Sequence, residues 1–160
     1  MAALIYSHPG GGALYQAGDR EIRDLLDTWP IDLVVFCAVE CPAVSLSAVR
    51  NGRTVPIATT AVALDDRAIY TVQEVKDTAS LVTGLSGALA HAVARDRRHV
   101  LAACAMGLNR SGLVVGMTLR RILGCTDAEA IERIRAVRGP DACRNQMFNK
   151  ILRRDWRASL

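Results

Sequence analysis

The stretch HVLAACAMGLNRSGLVVG, residues 99–116, changes character twice along its length. It begins with a short apolar run that is typical of a buried strand, and this run ends at Cys104. A tight Gly-Leu-Asn-Arg-Ser-Gly turn follows at residues 107–112, after which apolar residues recur at a helical period. The stretch therefore predicts a buried strand over residues 99–104 and a helix over residues 111–123, which Gly124 closes.

The same alternation of strands and helices extends over the rest of the chain. Further strands are predicted over residues 3–8, 13–18, 31–39 and 54–64. Further helices are predicted over residues 19–29, 42–52, 72–95, 126–137 and 144–156. The short helix at residues 42–52 is predicted to end at Asn51-Gly52, and Thr126 with Glu129 predicts a capping box. This order of elements predicts a layered α/β domain.

The composition is that of a single globular domain. The chain has 160 residues, of which 51% are hydrophobic and only 4% aromatic, so Ala, Val, Leu and Ile build the core. No apolar run has the length of a membrane span, and the N-terminal residues lack the pattern of a signal peptide. We therefore expect no membrane partner and a cytoplasmic location.

The cysteines and the charged residues limit which cofactors and substrates are expected. Five cysteines with irregular spacing predict free thiols in a reducing compartment, and no spacing predicts a metal or an organic cofactor. The net charge is +4, and nearly all of the basic residues are arginines, because Lys76 and Lys150 are the only lysines. This arginine excess is compatible with solvated surfaces and also with attraction to an anionic substrate.

The turn after Cys104 has the features of an anion-binding loop. Ligands of layered α/β domains bind beyond the carboxyl ends of the strands, where Cys104 is predicted to lie. The backbone N–H groups of residues 105–110 and the start of the next helix can surround a tetrahedral dianion. Gly107 allows a backbone angle that other residues resist, and Arg110 offers a planar fork of donors to two phosphate oxygens. The same field favours the thiolate of Cys104, which could then attack phosphorus.

The order Cys104-Ala-Met-Gly-Leu-Asn-Arg110-Ser111 resembles the signature of the cysteine-dependent protein tyrosine phosphatases. The chain is similar to their small dual-specificity branch over most of its length, including ALYQAGDREI, VALDD and DAEAIERIRAVRGPDACRNQMFNKIL. The resemblance implies that residues 1–160 form a single dual-specificity phosphatase-like catalytic domain. It also implies a mostly parallel sheet of four to five strands with helices on both faces.

The resemblance assigns roles to the residues of the loop. Cys104 would be the nucleophile, Arg110 would bind the phosphate and stabilise the transition state, and Ser111 would help the thiolate to leave. The backbone amides that would bind phosphate belong to Ala105, Met106, Gly107, Leu108, Asn109 and Arg110. One position departs from the family, which usually has histidine before the cysteine where this chain has Ala103. This difference predicts a slower enzyme or a less acidic Cys104 thiol, but not the loss of activity.

The resemblance also requires a general acid that protonates the leaving group. Asp66 follows the strand-like run AVAL at the position where the family carries its acid, so we assign this role to Asp66. Its neighbour Asp65 and the more distant Asp77 are the alternatives. Asp77 falls inside a predicted helix, which makes it the weaker of the two.

The sequence thus predicts a phosphatase that hydrolyses phosphomonoesters through a phosphocysteine intermediate. The expected partner is a phosphorylated protein or peptide that carries phosphotyrosine, with phosphoserine and phosphothreonine as further substrates. A second hypothesis is a phosphatase that acts on RNA 5′ ends. GLNRSG is similar to the loop of RNA triphosphatase-like members of the same superfamily, and the many arginines could bind a chain of phosphates. A third hypothesis, motivated by Ala103, is a weakly active or inactive phosphate-binding module.

Overall fold

Six β-strands and five α-helices form along residues 3–41, 44–67 and 70–153, the parts of the chain that this computed structural model describes. The strands are β1 (Ala3–Ser7), β2 (Ala13–Gly18), β3 (Leu33–Phe36), β4 (Leu46–Arg50), β5 (Arg53–Ala61) and β6 (His99–Cys104). The helices are α1 (Ile22–Thr28), α2 (Val72–Ala94), α3 (Arg110–Leu123), α4 (Asp127–Arg138) and α5 (Gln146–Arg153). A single 3-10 turn, Asp19–Glu21, joins β2 to α1.

The strands form one mixed sheet in the order β1-β2-β6-β3-β5-β4. The pairs β2–β6, β6–β3 and β3–β5 are parallel, whereas β1 and β4 add antiparallel edges. Gly18 is paired with Cys104 and Phe36 with Ala103, so three neighbouring parallel strands end together. Their carboxyl ends therefore open at one edge of the sheet, which is where ligands of such sheets bind.

The core lies where β6 meets α3. Val100 to Ala103 of β6 are fully buried, as expected for a strand with parallel neighbours on both sides. Helix α3 is almost completely buried from Arg110 to Leu119 and packs against β2 and β6 as well as α2, α4 and α5. Burial on this scale fixes the position of the turn between β6 and α3, since both of its ends are held by the core.

The α/β fold class is confirmed, but the sheet has six strands where four to five were expected. The additional strand is β4, which replaces the predicted short helix at residues 42–52; residues 42–43 lie outside the described residues. Asn51 and Gly52 have φ angles of +52° and +73° and join β4 to β5 as a two-residue hairpin turn. Positive φ at both central residues is the geometry for which Asn-Gly is favoured, so this pair turns a hairpin and does not end a helix.

The other predicted elements are present. The capping box of α4 forms, with the N–H of Glu129 donating to Thr126 Oγ1 over 3.2 Å and the N–H of Thr126 donating to Glu129 Oε2 over 2.8 Å. Residues 154–156 of the last predicted helix lie outside the described residues. Within the described part of the chain, no helix combines the length and the apolar character that a membrane crossing requires.

Candidate active site

Cys104 is the last residue of β6 and lies at the carboxyl edge of the sheet. Its side chain is almost completely buried, and its sulfur lies 3.3 Å from the hydroxyl oxygen of Ser111 in the first turn of α3. Gln16 Nε2 donates to the same hydroxyl oxygen over 3.1 Å. Because a serine hydroxyl has one proton, accepting this bond leaves its O–H available to donate to the sulfur.

The carbonyl groups of the loop after Cys104 are held from outside by two side chains. Gln16 Nε2 and Arg138 Nε each donate to the carbonyl oxygen of Gly107 over 3.1 Å. Arg138 Nη2 donates to the carbonyl oxygen of Met106 over 3.3 Å. Within a trans peptide plane the N–H points away from the C=O, so the N–H of Leu108 faces away from these two side chains.

The backbone N–H groups of the loop divide into engaged and free donors. The N–H of Gly107 donates to the carbonyl oxygen of Cys104 over 3.2 Å and closes the turn. Among the described residues, the N–H groups of Leu108 and Asn109 meet no acceptor. These donors lie directly before Arg110, where α3 begins, and free N–H groups at a helix N-terminus form an anion-binding site.

Gly107 lets the loop lie directly on the end of β2. Its φ angle is +66°, and a Cβ at this position would lie 2.3 Å from the carbonyl carbon of Ala17 and 2.4 Å from the nitrogen of Gly18. Both atoms belong to the backbone, so neither could move aside for a side chain. The predicted need for glycine at position 107 therefore has two separate causes, which are the backbone angle and the close approach.

Three residues that support the loop were missed in the sequence. Gln16 is fully buried in β2, and Arg138 ends α4 with its side chain only 4% exposed. Glu21 accepts from the N–H of Gly18 over 2.6 Å and from Arg138 Nη1 over 3.3 Å. The one available signal was Gln16 itself, a glutamine in a strand that is otherwise predicted to be buried. Because buried polar side chains are hydrogen-bonded, a glutamine at this position indicates a specific hydrogen-bond partner.

Arg110 projects from the first turn of α3 and is held by Glu40. Its Nη1 pairs with Glu40 Oε1, and its Nε is buried without a partner among the described residues. Burial opposes the charged form of Arg110, but the hydrogen bond to Glu40 and the nearby Cys104 sulfur raise the pKa of Arg110. In return, the hydrogen bond from Arg110 lowers the pKa of Glu40. The guanidinium is thus fixed and charged, with an unused N–H.

The structure brings Asp66 to the loop and leaves the two alternative acids elsewhere. Asp66 Oδ2 accepts from Asn109 Nδ2 over 3.0 Å, although 43 positions separate the two residues. Asp65 instead pairs with Arg67 over 3.1 Å. Asp77 accepts from Gln73 over 2.7 Å, one turn away on α2. Of these three carboxylates, only that of Asp66 contacts the loop that carries the other predicted site residues.

Two asparagines hold Asp66 in this position. Asn145 Nδ2 donates to Asp66 Oδ1 over 2.7 Å. Asn109 Oδ1 accepts the N–H groups of Arg144 over 2.8 Å and of Asn145 over 3.2 Å. The loop, the carboxylate and the segment before α5 are thereby connected. The sequence predicted only the backbone of Asn109 as a phosphate donor, and its side chain has this second task.

The remaining predicted residues of the loop differ in exposure. Ala105 and Leu108 are partly buried, whereas Met106 is 71% exposed at the mouth of the loop. Ala103 is fully buried, and its carbonyl oxygen accepts the N–H of Cys37 over 2.7 Å. Burial raises the pKa of the Cys37 thiol well above its usual range, so this neighbour stays neutral.

Among the described residues, no group of three His, Cys, Asp or Glu side chains could hold a metal ion.

Comparison with known proteins identifies the fold. The sequence matches no protein-family model and no curated protein sequence. Among solved structures, a mouse candidate dual specificity phosphatase in complex with zinc tungstate is 23% identical, with 87% of this chain and 79% of that chain covered and a TM-score of 0.67. Human DUSP28 is 21% identical, with 87% and 84% covered and a TM-score of 0.66.

A viral protein extends this comparison. OH1 from the Orf virus, described as a tyrosine phosphatase with triple substrate specificity, is 17% identical, with 94% and 83% covered and a TM-score of 0.65. These likenesses show that the chain has the fold of the cysteine-dependent protein tyrosine phosphatases, in the form of their small dual-specificity branch. The resemblance noted in the sequence is confirmed for the fold.

We predict that Gln16→Leu weakens the binding of tungstate, a phosphate analogue, by about tenfold. The change removes a donor that holds the Gly107 carbonyl, and hydrogen bonds of this kind contribute about 1 kcal/mol or more. Calorimetric titration with tungstate measures the effect. Gln73→Leu is the matched control, because Gln73 is exposed on α2 and, within the described part of the chain, its side chain bonds only to Asp77. Wild-type affinity in Gln16→Leu would contradict the role given to this side chain.

Proposed function

We propose that this protein is a phosphatase that hydrolyses phosphomonoesters in proteins, phosphotyrosine first and phosphoserine and phosphothreonine as well. The observation that supports the proposal is the convergence of four groups at one edge of the sheet. These are the Cys104 sulfur, the free N–H groups of Leu108 and Asn109, the Arg110 guanidinium and the Asp66 carboxyl group. A nucleophile, an oxyanion site and a general acid are the parts that such hydrolysis needs.

In the first step, Cys104 takes the phosphoryl group from the substrate. The equatorial phosphate oxygens bind the loop N–H groups and Arg110, which places phosphorus in line with the sulfur. The sulfur–phosphorus bond forms while the bond from phosphorus to the ester oxygen breaks. Asp66, in its protonated form, gives its proton to the departing oxygen, which leaves as an alcohol or a phenol. The product on the enzyme is phosphocysteine.

In the second step, water releases phosphate from Cys104. Asp66 is now ionised and takes a proton from the water as its oxygen attacks phosphorus. The sulfur–phosphorus bond breaks, and the electron pair remains on sulfur as a thiolate. Ser111 donates its O–H to that thiolate across the 3.3 Å separation, which makes the sulfur a better leaving group.

The charges around the loop favour a peptide substrate over an RNA end. Carboxylates of Asp19, Glu40 and Asp66 lie on the segments that follow β2, β3 and β5. A chain of phosphates would be repelled by these groups. The asparagine that suggested an RNA phosphatase in the sequence has a structural task here, because Asn109 bonds to Asp66. We also place the enzyme in the cytoplasm, where a nucleophilic thiol stays reduced.

The proposal predicts that the protein hydrolyses a generic aryl phosphate and that Cys104→Ser abolishes this activity. Rates of phosphate release from a phosphotyrosine peptide and from triphosphorylated RNA then separate the substrate classes. We expect kcat/KM to be higher for the peptide. Faster release from RNA would identify an RNA phosphatase, and tungstate binding without turnover would identify a phosphate-binding module. Either result would overturn the proposal.

The role of Asp66 predicts a dependence on the leaving group. Asp66→Asn removes the proton that an alkoxide needs, so kcat for a phosphoserine peptide should fall about 100-fold. A nitrophenyl phosphate, whose leaving group needs little protonation, should lose much less. Asp65→Asn is the matched control and should leave both rates near wild type, because Asp65 pairs with Arg67 away from the loop. A large fall in kcat for the phosphoserine peptide in Asp65→Asn, with a near wild-type rate in Asp66→Asn, would transfer the acid role to Asp65.

A further inference from the structure

A cavity of about 380 Å³ is lined in part by Glu40, the partner of Arg110, and the chemistry proposed above does not use it. It lies between α1 and the segments that precede and begin β4. Ile22, Leu26 and Phe36 supply an apolar wall, and each of these side chains is at least 94% buried. Its size falls in the range of about 300–1,000 Å³ that is usual for ligand sites.

One lining residue links the cavity to the candidate active site. Glu40 lines it and also pairs with the phosphate-binding Arg110. Asp19, another lining residue, directly follows Gly18, which is paired in the sheet with Cys104. A phosphorylated residue bound over Cys104 would therefore have its neighbouring residues beside this cavity.

Carboxylates dominate the rim of the cavity. Asp19 and Asp27 line it, both are exposed, and neither forms an ion pair with any residue that the structure describes. Arg23 is the one cation among the described lining residues, so the two free carboxylates outnumber it. Burial raises the pKa of the Cys41 thiol, and the negative charges of Asp19 and Glu40 raise it further. The negative potential of the rim therefore extends to Cys41.

Asp27 lies where the helix itself does not favour an acid. It belongs to the last turn of α1, which carries no basic residue. Carbonyl groups at a helix C-terminus bear partial negative charge and favour a cation, so an aspartate there weakens the helix slightly. A bound cation would offset the negative charge of Asp27.

We propose that this cavity binds a lysine or arginine side chain of the substrate, next to its phosphorylated residue. The inference rests on the proposed function and narrows its substrate class. Lysine and arginine combine an apolar stem with a charged head, which matches the wall of Ile22, Leu26 and Phe36 and the rim of Asp19 and Asp27. A glutamate or phosphate at the same place would meet carboxylates and be disfavoured.

The experiment measures the binding of phosphotyrosine peptides to Cys104→Ser, which binds without turnover. Matched peptides carry Lys, Ala or Glu at one of the two positions on either side of the phosphotyrosine. At one or more positions, the Lys peptide should bind about tenfold more tightly than the Ala peptide, and the Glu peptide more weakly still. In the added double variant Asp19→Asn, Asp27→Asn, the ratio of Lys to Ala affinity should fall toward one.

Asp24→Asn is the matched control, because Asp24 is exposed on α1 and does not line the cavity. It should retain the full preference for lysine. Raising the NaCl concentration should also reduce the preference in the protein with its native carboxylates, since salt screens exposed charges. Equal binding of the three peptides at every position, or an undiminished preference in the double variant, would overturn the inference.

These outcomes are separate from the test of the proposed function. Peptide preference is read on a protein that cannot turn over, whereas phosphatase activity is read on the wild type with an aryl phosphate. Wild-type turnover with no lysine preference would overturn the cavity assignment alone. A lysine preference without wild-type turnover would support the cavity assignment and overturn the catalytic proposal.

Discussion

The site depends on the direction in which the peptide planes after Cys104 are held. Gln16 and Arg138 bind the carbonyl oxygen of Gly107, and the N–H of Cys143 binds that of Leu108 over 3.2 Å. The free N–H groups of Leu108 and Asn109 therefore face the other way. If those planes turned, carbonyl oxygens would face a bound phosphate and repel it. Hydrogen bonds from a buried charged donor contribute about 1.5–3 kcal/mol each, which is enough to hold one orientation before any ligand arrives.

This support also accounts for Ala103, the position where the resembling phosphatases usually carry histidine. The loop is fixed by side chains from β2 and α4, and Ala103 only has to fill the core behind Cys104. Arg110 is fixed in the same manner, because Glu40 holds one end of its guanidinium. The loop and Arg110 are therefore held in place without a histidine at position 103.

The sequence predicted the parts of the site that are local and missed those that depend on distant contacts. Strand β6, Gly107 and helix α3 follow from period and turn chemistry within one stretch. Gln16 reaches Gly107 across 91 positions and Arg138 across 31, and no local pattern encodes such contacts. Strand β4 was wrongly predicted as a short helix because its residues are compatible with both structures. Antiparallel pairing with β5 stabilises the strand. Asp66 and Asp65 could be ranked from the sequence, but their contacts separate them physically, because Asp66 bonds to Asn109 and Asp65 pairs with Arg67.

A crystal structure with bound tungstate tests the central claim most directly. We expect tungsten in line with the Cys104 sulfur, its oxygens within hydrogen-bonding distance of the Leu108 and Asn109 N–H groups, and Arg110 Nε donating to one oxygen. The Gly107 carbonyl should remain bound to Gln16 and Arg138. Tungstate bound elsewhere, or loop carbonyls directed at the space above Cys104, would contradict the account.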